Sequence, residues 1–251
     1  MLYAAFTAFE HLRENINMSE SIEKIVHNLQ KTAAVYQQIK DEGKLDDMVA
    51  LKEWQCDRLL ASYVELWKIK RFQPAIRFFI SELYGPKDFS QRDADIAKVI
   101  PKMEKWLPEK ALNSLSAAIH LNCLSQDIDY LMLEKFAELD VDLQNFTSAD
   151  YAKAYRNCGN TEQRALQINS IEKLGTDLGK VVKIPGISMI LRMARTPAKT
   201  MGVEALQQFL EDGLNAFKKL GDVSDFIYPV VTEERRIMHA LFAGENILPD
   251  V

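Results

Sequence analysis

The stretch from Lys180 to Lys199 carries charge of one sign. It holds Lys180, Lys183, Arg192, Arg195 and Lys199 and no acidic residue, in a chain of formal net charge −5. On a helix, Ser188, Arg192 and Arg195 fall beside the apolar face made by Ile187, Ile190, Leu191 and Ala194. Guanidinium forks at such spacing suit an anion: a phosphate, a carboxylate or a lipid headgroup. Gly175 and Gly179, one turn apart, offer a face where a ligand or another backbone can come close. The plainer reading is that the glycines allow helix packing and the basic residues complement a helix C-terminus.

A second charged group surrounds a tight turn. Arg77 and Glu82 precede Gly85-Pro86, and Asp88, Arg92 and Asp93 follow it. Two helices joined so closely pack antiparallel, which would bring Arg77 toward Asp93 and Glu82 toward Arg92. The arrangement reads either as a charged wall of a pocket or as capping and ion pairing that fix the corner. In the second case Asp88 bonds turn amides, and Ser90-Gln-Arg-Asp93 forms a capping box.

The remaining chemistry is sparse. Among four histidines, only His120 falls on a strongly apolar helical run, where it reads as a core hydrogen-bonding group or, alternatively, an acid/base or haem ligand. No histidine follows a Glu by three residues, the spacing of helical di-iron sites, and His-x-x-x-His is absent. Gly-x-Ser-x-Gly, the Walker-type loop and Gly-x-Gly-x-x-Gly are missing too. Cys56, Cys123 and Cys158 fit no metal spacing. The sequence thus assigns no metal, no cofactor and no catalytic residue, and leaves open whether the protein is an enzyme.

The elements that must position these residues are helices. Ile22, Ile25, Leu29, Thr32, Tyr36 and Ile39 recur at three- and four-residue steps, as do Val203, Leu206, Leu210, Gly213, Phe217 and Leu220. Further runs cover about 46–69, 73–84, 90–106, 148–158, 160–183 and 225–243, with a short piece at 187–195. Pro101 should kink or divide the run that contains it. Residues 109–138 are apolar on more than one face and predict a central, buried helix. No hairpin dipeptide or sustained alternation marks a strand. The expectation is an all-α fold, one compact bundle of about ten helices over residues 18–251. Met18 precedes a good helix start, so residues 1–17 read as an upstream extension.

The segment Phe78-Phe-Ile-Ser-Glu-Leu-Tyr84, with the turn that follows, resembles the signature of an uncharacterised proteobacterial family named for its FFLEELY motif. Ile80 and Ser81 depart from that name. The segments Leu191–Ala198 and Leu206–Gly213 are similar to later parts of the same family. The resemblance implies a bacterial, all-α protein over most of residues 19–244; it implies no activity.

Composition bounds the rest. With 47% apolar and 27% charged residues, the chain has the balance of a folded globular protein. Its acidity disfavours nucleic-acid binding, no segment is long and apolar enough for an integral membrane span, and the odd cysteine count suits a reducing cytoplasm. Two functional readings follow. The first is a non-enzymatic module that binds a protein partner or forms a homodimer through its heptad-like stripes at 22–39 and 203–220. The second is a binder or enzyme for a small amphipathic anion held in a cavity between helices near Arg192, Arg195, Lys199 and Ser188.

Overall fold

The computed structural model describes residues 19–251, with the side chains of 101–106 outside the description. The question of Met18 therefore lies outside the described residues. Among those residues the fold is built from eleven α-helices and one π-helical segment. In chain order they are α1 (Glu20–Asp41), α2 (Leu45–Ser62), α3 (Val64–Lys68), α4 (Gln73–Phe78), the π segment (Phe79–Tyr84), α5 (Ser90–Trp106) and α6 (Glu109–Glu138). They continue as α7 (Ser148–Asn157), α8 (Thr161–Val181), α9 (Ile187–Met201), α10 (Glu204–Leu220) and α11 (Ser224–Ala243).

The long helix α6 is the hub. It packs against α1 on one side and α8 on another, and it touches α2, α5 and α7 as well. Helix α11 covers the far side of α8, and α10 joins α4 to α9. The two expected stripes turn inward. Ile22, Ile25, Leu29 and Ile39 of α1 are buried, as are Leu206, Phe209, Phe217 and Leu220 of α10. Both are therefore spent inside the molecule and are not free to build a homodimer.

Local rules explain most boundaries. Thr147 caps α7 through a full capping box: its Oγ1 accepts from the Asp150 amide at 3.3 Å, and Asp150 Oδ2 accepts from the Thr147 amide at 2.9 Å. The box expected at Ser90–Asp93 does not form. Asp88 instead accepts from the Ser90 amide at 2.8 Å, and Asp93 turns into the protein to meet Arg92. Helix α5 runs through Pro101 as one element, and α9 continues six residues past the expected 195, through Pro197. The run expected over 46–69 is divided at Tyr63, whose backbone leaves the helical region. The glycine face of α8 packs on α11. A Cβ on Gly175 would lie 2.5 Å from the Ile227 side chain, and one on Gly179 would lie 2.9 Å from Val223. This is close helix packing rather than a ligand approach.

Candidate functional site

The FFISELY segment does not finish as an α-helix. From Phe79 to Tyr84 the chain widens into a π turn, in which hydrogen bonds skip one residue more than in an α-helix. The widened turn is held on both sides. Phe78 packs on Phe209, and Phe79 packs on Phe217 and Phe226. Gly85 closes it so tightly that a Cβ there would lie 2.3 Å from the Ile80 carbonyl oxygen. Short π segments are frequent at functional sites, and this one forms a wall.

It faces a cavity of about 140 Å³. Ile76, Phe79, Ile80, Leu83 and Tyr84 line one side; Leu121 of α6, Ile171 of α8 and Val230 of α11 line the others. An apolar cavity of roughly 150 Å³ stays dry and accepts a benzene-sized guest, so this volume fits one six-membered ring or a short aliphatic chain.

Polar groups gather at the wall formed by α2 and α11. Arg58 is buried and donates from Nη1 to Glu234 Oε1 at 2.5 Å; Tyr63 donates its hydroxyl to the same oxygen at 2.6 Å. Burial alone would favour a neutral Arg58, but the adjacent Glu234 carboxylate outweighs it and keeps the guanidinium charged. The Tyr63 phenol is pushed up, first by burial and then by Glu234. Burial likewise pushes up the Tyr84 phenol, which stays protonated and able to donate. Arg58 Nε has no hydrogen-bond partner.

Behind this wall lies more buried polarity. Gln55 donates to Asp129 Oδ1 at 3.1 Å and to the Tyr151 hydroxyl at 3.3 Å. Gln167, itself part of the cavity lining, donates to Ser125 Oγ at 2.9 Å. Arg164, one turn earlier on α8, is buried with its guanidinium carbon 4.3 Å from the centre of the Tyr155 ring. Its Nε and Nη2 are both unpartnered. Buried donors without acceptors cost free energy unless water or a ligand meets them.

Asp129 yields a test. Burial pushes its carboxyl up, against the pull of Lys52, Gln55 and Arg164. A carboxyl raised on folding favours the folded state while protonated. Stability is then lost as pH rises from the ordinary carboxylate value through the raised one. Asp129→Asn removes that loss. Its urea midpoint should exceed that of the unaltered protein near neutral pH, with the gap closing in mild acid.

The residues expected from sequence are placed elsewhere. Arg77 lies over the Trp67 ring at 5.4 Å and does not meet Asp93. Arg92 is buried; it donates to Asp93 from Nε at 2.9 Å and to the Glu82 backbone carbonyl from Nη1 at 2.9 Å, stacked on Phe89. The Glu82 carboxylate takes Lys87 instead. Arg92, Asp93, Asp88 and Glu82 thus secure the corner. His120 is exposed, not in the core, and its Nδ1 lies 3.3 Å from Asn28 Oδ1 in an open polar cleft between α1 and α6. Ser188, Arg192, Arg195 and Lys199 are exposed on α9. Arg195 is bound to Glu211 at 2.7 Å and Ser188 accepts from Lys218. None of these four lines the cavity.

Sequence reasoning missed Arg58, Arg164, Asp129 and Glu234. Asp129 left a signal, a carboxylate between Ile128 and Leu131 on the helix expected to be central. Arg58, Arg164 and Glu234 sit in ordinary amphipathic surroundings and left none. Among the described residues, no group of three His, Cys, Asp or Glu is placed to hold a metal ion, and no helix is long and apolar enough to cross a membrane.

The fold and this site define an all-helical bundle with a small apolar cavity closed at one wall by buried charge. The chain belongs to the family described as Domain of unknown function (DUF8198), whose model matches residues 34–247. No curated protein and no solved structure matches it.

Proposed function

We propose that the protein binds a small amphipathic anion, its apolar body in the cavity beside the π segment and its oxyanion turned toward Arg58 and Tyr84. The observation that carries this reading is the buried, unpartnered Arg58 Nε at the wall of an apolar cavity. Arg164, buried one turn from the lining residue Gln167 with Nε and Nη2 unpartnered, adds to the positive field behind that wall. The site is thus moved from the expected neighbourhood of Arg192 and Arg195 to the core behind FFISELY. Three free cysteines support a reducing, cytoplasmic setting.

Phenylacetate and its neutral isostere phenylacetamide test the reading. Calorimetric titration should show phenylacetate binding at least about tenfold tighter, the order expected for a hydrogen bond to a charged group. Tyr84→Phe, which keeps the ring, should weaken phenylacetate by about fivefold. Equal binding of acid and amide, or binding of neither, overturns the proposal.

A further inference from the structure

The outer face of α9 combines two features that the cavity does not use. Met189 and Met193, one turn apart, are 64% and 70% exposed, the most exposed methionines among the described residues' large apolar side chains. Around them stand Arg192 and Lys199, both exposed, and just before the helix Lys183, exposed and within the field of Asp222. From Leu178 to Val203 the chain holds no acidic side chain. Across the helix pair, Glu211 is paired with Arg195, and its carboxylate is also felt by Arg192. The inner face of α9 is committed, with Ile187, Leu191 and Ala198 buried. An acidic protein therefore presents one rigidly mounted helix whose free side is basic and apolar together.

We infer that this face docks on an anionic lipid surface. Arg192, Lys199 and Lys183 lie against the headgroups while Met189 and Met193 enter the interfacial layer. Charge complementarity selects the occupant. Basic residues within a Debye length of an anionic leaflet are attracted to it, and an amphipathic helix lies flat with its apolar side chains in the headgroup boundary. Methionine is flexible and polarisable and suits such a disordered boundary. A second copy fits less well, because a two-fold contact here would set Arg192 and Lys199 against their own equivalents. Two exposed methionines also fall short of the roughly 800 Å² per partner that a stable protein interface buries.

Vesicle flotation of the full chain tests this independently of the cavity. Binding is expected to vesicles of phosphatidylcholine with about a third phosphatidylglycerol, and not to phosphatidylcholine alone, with release as salt is raised. Arg192→Gln with Lys199→Gln should weaken partitioning by roughly twenty-fivefold, about fivefold for each charge. Met189→Ser with Met193→Ser should weaken it as well, and both pairs should leave phenylacetate binding unchanged because none of the four residues lines the cavity. Failure to float with anionic vesicles overturns the inference. So does flotation that both variants leave intact, or a concentration-dependent dimer that the methionine variant makes monomeric.

Discussion

Arg58→Ala should destabilise the fold by about 3–5 kcal/mol, the range for breaking a buried ion pair from one side. Arg58 and Glu234 are both largely removed from water, and Glu234 also holds the Tyr63 hydroxyl. Truncating the arginine leaves a carboxylate buried without a counter-charge, and that residual group carries most of the cost. The double replacement Arg58→Met with Glu234→Leu removes both charges and should recover most of the loss, since apolar substitutes for a buried pair are often neutral. Urea unfolding of both variants reads this out. A loss below about 1 kcal/mol for the single variant would place the pair in the class of weak, solvated bridges. The double variant should fold yet bind phenylacetate poorly, which separates the pair's structural role from its role at the cavity wall.

Gly85→Ala should cost roughly 2–3 kcal/mol through overpacking, and should also distort the cavity. The backbone of Gly85 is ordinary extended chain, at φ −66° and ψ 172°, so the restraint is space and not conformation. An added Cβ would lie 2.3 Å from the Ile80 carbonyl oxygen, an atom of the π turn itself that no side-chain rotation can move. Relief requires the turn to shift, and Ile80, Leu83 and Tyr84 shift with it. Gly179→Ala makes the control. There the added Cβ would lie 2.9 Å from a methyl of Val223, which does not line the cavity, and a smaller loss of about 1 kcal/mol is expected. Thermal unfolding and phenylacetate titration of the two variants should separate them: Gly85→Ala loses both stability and binding, Gly179→Ala loses mainly stability.

The helices were legible because each buries one stripe, and a stripe is a local pattern. The capping box at Thr147–Asp150 rests on an equally local pattern, a Thr and an Asp three residues apart. What escaped depends on tertiary choice. Asp93 has the spacing of a cap residue, yet a buried Arg92 beside it draws the carboxylate inward and Asp88 takes over the turn amides. His120 shares a helix with core residues but projects on the side left open between α1 and α6. The regular stripes of α1 and α10 look the same in sequence whether they meet another helix of the chain or another chain; here they meet their own. The candidate site was half visible. FFISELY stood out as a segment, and Phe79 and Tyr84 border the cavity, but the charges it faces come from α2 and α11. Arg58 and Glu234 are separated by 176 positions, and no spacing rule connects them.

The most direct measurement is the location of a bound ring. With methyl-labelled protein, intermolecular NOEs from the ring protons of phenylacetate should reach Ile76, Ile80 and Leu83 on the π-segment side and Ile171 and Val230 opposite, all of which line the cavity. Those contacts should vanish in Gly85→Ala. Contacts confined to surface methyl groups, or a ring that shows none at saturation, would contradict the account.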